Sequence, residues 1–334
     1  MRRFSLLAGI AAGVLFLGMS GVQAAQYKFD LADEYSADGP TGQAEAFFAD
    51  LVKKNSNGQI EVTVHLDGSL GYKSADHTAA VRDGAIAMAS TPVDKLGGIA
   101  PIFDFQSLPF IAPTYANLKE LTDVCMADYK AQMDAQNQLI LFSEAWTSTG
   151  LWTRTKINTP ADLKGLKVRA YEAIGTKTFL RAGAAAIQMS WSDVVPALTT
   201  HTIDAVLTSD DGGVSAKFWE IGVKYFNSIG FQQGISIVTI NKDAFKALPP
   251  DLQKVMLDAA AATDKFSWDA LNGRVEKNMK IMAAANAFFV NDVPAVVIDA
   301  LKEAGAPYLE EWKAKMGAAK ADAILAAYKA HMSK

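Results

Sequence analysis

Residues 26–66 read QYKFDLADEYSADGPTGQAEAFFADLVKKNSNGQIEVTVHL, and the apolar period along them changes from strand to helix and back. Gln26–Ala32 is a strand candidate followed by a polar loop. In Gln43–Asn55 the apolar residues Ala46, Phe47, Leu51 and Val52 recur at helical spacing, Asn57-Gly58 ends the helix, and Ile60–Leu66 alternates as a second strand. This is a βαβ unit, whose right-handed crossover returns the second strand parallel to the first. In open sheets of this kind, ligands bind outside the carboxyl ends of the strands.

Working outward, the pattern recurs. Ala75–Asp83 reads as a helix, Ile86–Ala89 as a short buried strand, Asn117–Gln136 as a long helix and Leu139–Ser143 as a strand. After Trp146-Thr147-Ser148-Thr149-Gly150 a second series begins, with strands at Leu151–Arg154, Val168, Ile187 and Ala205–Thr208 and helices at Gly175–Ala182 and Ser192–Thr199. The expected fold class is therefore α/β with two lobes, each a mostly parallel sheet flanked by helices. Two lobes also suit the length, since one core seldom serves more than about 250–300 residues.

Ile235–Asn241 is a further strand, and from Leu252 onward the chain reads as helix for about 30 residues, beyond the roughly 8–20 usual for one helix. It either breaks near Asn272-Gly273 or crosses from lobe to lobe. Pro307–Lys334 is helical and charged and reads as a solvated packing helix.

The amino terminus indicates export. Met1-Arg2-Arg3 is a basic start, Leu6–Met19 an apolar run interrupted by Gly9, Gly13 and Gly18, and Val22-Gln23-Ala24 a small-residue cleavage site, placing the mature start at Ala25. The run falls short of the roughly 20 residues of a spanning helix, and no later segment reads as one, so no stable membrane insertion is expected. With 32 basic and 36 acidic residues the chain is mildly acidic, a poor nucleic-acid binder.

Cys125 is the single cysteine, so no internal disulfide forms, and its amphipathic surroundings LTDVCMADY suggest burial. His65, His77, His201 and His331 have no metal-ligand spacing, and no nucleophile elbow occurs. The reading assigns no metal, no cofactor and no enzyme activity.

The stretch ADLKGLKVRAYEAIG at 161–175 ends an apolar strand on Arg169. A guanidinium at that place is either a surface charge paired with a nearby acid or a two-pronged clamp for a ligand carboxylate.

In its order of segments the chain resembles the periplasmic substrate-binding proteins of TRAP transporters, over essentially all of Ala25–Lys334. The marks are Asn57-Gly58-x-Ile60, Ser69-Leu70-Gly71, Asp83-Gly84-Ala85-Ile86, Leu108-Pro109-Phe110, Asp162–Arg169, Met189-Ser190-Trp191-Ser192-Asp193-Val194 and Leu248-Pro249-x-Asp251-Leu252-Gln253. The resemblance implies a two-lobed receptor with a long helix running across both lobes, a small organic anion closed between them, and TRAP-type membrane permease subunits as partners. The expected boundaries are a signal peptide at 1–24, lobe one at 25–146 and 235–274, and lobe two at 147–234 and 275–334.

The resemblance also implies site residues. Arg169, in Gly165-Leu166-Lys167-x-Arg169, takes the place of the family's carboxylate-binding arginine, and Trp191 that of its pocket aromatic, with core packing as the alternative. Trp146 and Trp152 bracket the crossing between lobes as pocket wall or hinge packing, and three tryptophans would suit a ligand with an aromatic or branched body. Thr208 stands where many members have a ligand-contacting amide, which leaves Ser209 and Asp210 as substitutes, Asp210 alternatively capping the next helix. In lobe one, Glu34, Tyr35 and Tyr72 occupy ligand-touching places. Thr149 stands where sialic-acid receptors carry a second arginine, so that specificity is not expected. The competing readings are a receptor for a sulfonate or zwitterion, with Glu34 or Asp210 neutralising an amine, and a secreted enzyme on the same frame.

Overall fold

β1 (Tyr27–Ala32), α1 (Pro40–Asn55) and β2 (Ile60–His65) form the βαβ unit, with β1 and β2 parallel from the Tyr27–Ile60 pair to the Ala32–His65 pair. The structure, a computed structural model, describes residues 25–332, and the leader assigned to 1–24 lies outside them. Pro40 opens α1, where its fixed φ and missing N–H suit a first turn. The helix buries Phe48 and Val52 against Phe29, Leu31 and Ile60 of the sheet.

The first sheet has the order β2-β1-β3-β10-β4, with β3 at Met88–Pro92, β4 at Gln138–Ala145 and β10 at Ile235–Asn241. It is flanked by α2 (His77–Arg82), α3 (Tyr115–Ala135), α7 (Lys242–Lys246) and α8 (Pro250–Ala270). The second sheet has the order β11-β9-β5-β8-β6-β7. Its strands are β5 (Thr149–Thr153), β6 (Lys167–Ala170), β7 (Ala185–Gln188), β8 (Ala205–Ser209), β9 (Tyr225–Asn227) and β11 (Phe288–Val290). Around it lie α4 (Ala173–Arg181), α5 (Val194–Thr199), α6 (Asp210–Ser215), α9 (Arg274–Ala284) and α10 (Ala295–Gly305).

Each sheet contains one reversed strand, β10 between β3 and β4 and β5 between β8 and β9. Both are the first strand after the chain changes lobe. The crossing from Ala145 to Thr149 is too short for a reversal, so β4 runs toward the cleft and β5 runs away from it. The cleft is consequently lined by carboxyl ends of parallel strands and amino ends of the two reversed ones.

The long helical run is broken. α8 packs on α1 and β4 in lobe one, Gly273 takes a left-handed φ of 74°, and α9 continues onto α6 and β11 in lobe two. The break falls at Asn272-Gly273, and it is the pair α8–α9 that spans the lobes.

The carboxyl terminus departs from the expected boundary. α10 packs on α4 in lobe two, but α11 (Pro307–Met316) and α12 (Ala318–Met332) return to lobe one against α3. Trp312 stacks on Phe105 at 4.6 Å and donates to the Pro101 carbonyl at 2.8 Å, and Tyr328 donates to the Ile111 carbonyl at 2.9 Å. Residues 307–332 thus complete the core of lobe one instead of belonging to lobe two or lying solvated, because Trp312 and Tyr328 bury their rings there. Cys125 sits in the same core, where burial pushes its thiol up to about 12. Among the described residues no helix is long and apolar enough to cross a membrane.

Candidate functional site

A cavity open to solvent, with about 590 Å³ of empty space counting that open part, lies between the lobes. Lobe one and the crossings contribute Tyr35, Pro92, Asp94, Gln106, Trp146, Gly234 and Ile235; lobe two contributes Thr149, Arg169, Tyr171, Trp191, Thr208, Ser209, Gly212 and Gln232.

Arg169 reaches this cavity from the carboxyl end of β6, held in register by Ile187 of β7 and Val206 of β8. It is 1% exposed, and its Nε–H donates to the Met189 carbonyl at 2.9 Å. No carboxylate lies within 4.0 Å of its guanidinium among the described residues, whose carbon sits instead 5.7 Å from the Trp191 ring and 5.9 Å from that of Tyr171. Burial pulls the guanidinium below its ordinary value, and Tyr35 and Asp94 act in the opposite direction. Met189 positions the side chain, and the two terminal nitrogens make no hydrogen bond among the described residues.

Three rings form one wall: Tyr35 lies 4.7 Å from Trp146 and 5.7 Å from Trp191. Trp146 is fixed by its Nε1–H, which donates to Ser236 Oγ at 3.0 Å. Gly212 permits the approach of Trp191, since a Cβ there would stand 3.1 Å from the indole edge and 2.7 Å from Thr208 Oγ1. Ser209 lines the cavity, but its Oγ caps α6 by accepting the Gly212 N–H at 3.1 Å.

Four residues expected at the ligand lie elsewhere. Trp152 is 0% exposed in the core of lobe two, between Phe218 and Phe226, and donates to the Ser209 carbonyl at 3.0 Å. It stands three residues down β5 from Thr149, which puts it about 10 Å from the cleft end and on the other face of the sheet. Tyr72 packs with Leu70 on Ala32, Val81 and Ile86, after Gly71 turns the chain at φ 81°.

Glu34 fastens one lobe to the other. Its Oε2 accepts from the Ser74 N–H at 3.0 Å and the Ser74 hydroxyl at 2.7 Å, and its Oε1 accepts the Ser192 N–H at 2.9 Å across the cleft. Burial raises this carboxyl, but the Ser192 and Ser74 hydrogen bonds outweigh it and hold the group below its ordinary value. Asp210 is buried at the start of α6, accepting from Thr147 Oγ1 and, at 2.8 Å, from Asn278 Nδ2. Its neighbour Asp211 pairs with Arg274 at 2.6 Å, and Arg274 donates on to the Asp38 carbonyl at 2.6 Å and Gln43 Oε1 at 3.1 Å. The acids at 210 and 211 therefore brace α6, α9 and the α1 end of lobe one.

Asp94, Tyr171, Gln106 and Gln232 line the cavity without having been singled out from the sequence. Tyr171 stands two residues after Arg169, a spacing that puts strand residues on one face. Asp94 follows the carboxyl end of β3, where the strand-end rule that points to Arg169 also applies. Ending that strand at Ala89 instead of Pro92 hid it.

Behind the Tyr35 turn, Asp33 accepts the Tyr35 N–H at 3.1 Å and the Thr41 hydroxyl at 2.8 Å, buried beside Glu45 and Glu144. Burial pushes Asp33 up to about 6, from 3.8, against the lowering effect of these hydrogen bonds. The folded chain thus holds this proton more tightly than the unfolded one, so the contribution is full below about pH 4 and lost as pH rises through about 6. The stability of wild type relative to Asp33→Asn is expected to fall over that interval in thermal melts. A difference that stays flat from pH 4 to 7.5 would mean that Asp33 titrates normally.

A family profile, "Bacterial extracellular solute-binding protein, family 7" (DctP), matches residues 31–315. The C4-dicarboxylate-binding periplasmic protein DctP of Rhodobacter capsulatus is 26% identical over 303 residues, 87% of each chain. The 2,3-diketo-L-gulonate-binding periplasmic protein YiaO of Escherichia coli is 26% identical over 250 residues, 74% of this chain and 75% of that one. The Bordetella pertussis extracytoplasmic solute receptor DctP7, described as binding pyroglutamic acid, superposes with a TM-score of 0.85 at 26% identity, covering 90% of this chain and 99% of that one. Because the profile match runs through both sheets and both crossings between them, the chain belongs to the bacterial extracellular solute-binding proteins of family 7.

Proposed function

We propose that the protein is the exported receptor of a TRAP-type transporter, closing its lobes on a small organic acid anion and presenting it to membrane permease subunits. The observation that carries this reading is Arg169, buried in the interlobe cavity with no carboxylate within 4.0 Å of its guanidinium among the described residues. A buried guanidinium is costly unless an anion pairs with it, and a carboxylate fits its two-pronged geometry. The relatives' names and the leader at 1–24 support an extracytoplasmic carrier of organic acids. The rings of Tyr35, Trp146, Tyr171 and Trp191 favour a ligand with a ring or branched apolar body, since burial contributes roughly 25 cal/mol per Å². The reading is of a carrier, not a catalyst, in keeping with a family of solute-binding proteins.

A thermal-shift panel of carboxylates, amines and neutral sugars tests this. At 100 times its dissociation constant a bound acid should stabilise the protein by about 2.7 kcal/mol, cyclic and branched acids ahead of acetate and propionate. Stabilisation by neutral sugars or amines, with none by any carboxylate, would overturn the reading.

A further inference from the structure

We propose that Asp94 reads a hydrogen-bond donor on the ligand, so that the preferred solute is a carboxylate that also bears an N–H, O–H or ammonium group. The inference rests on the reading of Arg169 as the carboxylate anchor and adds what the opposite wall demands.

Asp94 sits in the turn Val93–Lys95 that follows β3, with its side chain 7% exposed and facing the cavity. Lys95 Nζ lies 3.3 Å from its Oδ2, and the same ammonium donates across the cleft to the Tyr171 carbonyl. Asp94 Oδ1 has no hydrogen bond among the described residues. Arg169 lines the same cavity, and no nitrogen of its guanidinium is within 4.0 Å of an Asp94 oxygen. Arg169 and Asp94 thus line one cavity without closing on each other, Lys95 being the cation that pairs with the acid.

A carboxylate ligand only accepts hydrogen bonds. Seated on Arg169, a bare carboxylate would leave Asp94 Oδ1 without a donor and add a like charge beside the Asp94–Lys95 pair, whereas a donor on the ligand would satisfy both walls. Gln232, also in the lining, keeps its side-chain oxygen buried with no hydrogen-bond partner among the described residues, and Thr208 stands where the family resemblance implies an amide. A buried acceptor left unpaired discriminates strongly against a ligand without the donor.

Titration calorimetry on matched pairs tests this. Pyroglutamate is set against 5-oxotetrahydrofuran-2-carboxylate, in which oxygen replaces the ring N–H, and 2-hydroxy-3-methylbutyrate against 3-methylbutyrate. Proline against cyclopentanecarboxylate is the ammonium arm. For wild type, the donor-bearing acid of at least one pair should bind about tenfold or more tighter, and the arm with the larger ratio tells a neutral donor from an ammonium. In Asp94→Ala that ratio should fall toward one, and in Asp94→Asn a neutral donor should keep more of it than an ammonium. Ratios within about twofold in every pair for wild type would overturn the inference while leaving Arg169 as anchor, and this arm decides even if the variants fail to fold. Binding of none of the six acids, or undiminished binding in Arg169→Ala, would overturn the anchor reading itself.

Discussion

Arg169→Ala is expected to weaken capture of the organic acid by at least roughly a hundredfold, and Arg169→Lys to recover little of that loss. Two parallel charge-assisted hydrogen bonds, each worth roughly 1.5–3 kcal/mol, are removed by alanine. Lysine restores a point charge without the fork, and it has no Nε–H held in place by the Met189 carbonyl. Calorimetry with the tightest acid of the panel measures the effect, and circular dichroism establishes that the variants fold. Wild-type affinity in either variant would leave the arginine as a buried structural charge.

Arg274→Ala should cost about 3–5 kcal/mol of stability although it lies outside the cavity. The Arg274–Asp211 pair is 9% and 1% exposed in its side chains, and Asn278 and Thr147 donate into the same group of oxygens. Deleting the cation leaves Asp210 and Asp211 adjacent and buried; burial and then Asp211 already push Asp210 up to about 6. The bonds to Asp38 and Gln43 go as well, so lobe two loses a tie to lobe one. Urea unfolding measures the change. Lys73→Ala is the contrast: it breaks an interlobe pair of 2.6 Å that is about half exposed, and exposed pairs are usually worth no more than about 1 kcal/mol. Equal losses in the two variants would show that burial of the Arg274 pair adds nothing.

The path of the chain was largely legible in the residues. Periods of 3.6 and 2 located the βαβ unit and the strands at 138–145, 205–209 and 235–241, because these segments bury at least one continuous face whatever their partners. Strand-end logic and the motif around Gly165–Arg169 led to Arg169, and the aromatic places at Tyr35, Trp146 and Trp191 are in the cavity wall. Three-residue strands such as β9 and β11 carry too few residues for a period to register, and the direction of β5 and β10 follows from which lobe the chain has just left. The same limit governs the side chains. Trp152 and Trp146 are equally aromatic and six residues apart, yet one reaches the cleft and the other the core, because strand position and pleat decide. Likewise Glu34, Asp94 and Asp210 are acids on loops or at helix starts, alike in sequence. Only the packing of two lobes made the first a latch on Ser192 and the third a brace with Asn278, and left Asp94 with an oxygen facing the cavity, since hydrogen-bond partners that are 68 or 158 residues distant are brought together by tertiary structure alone.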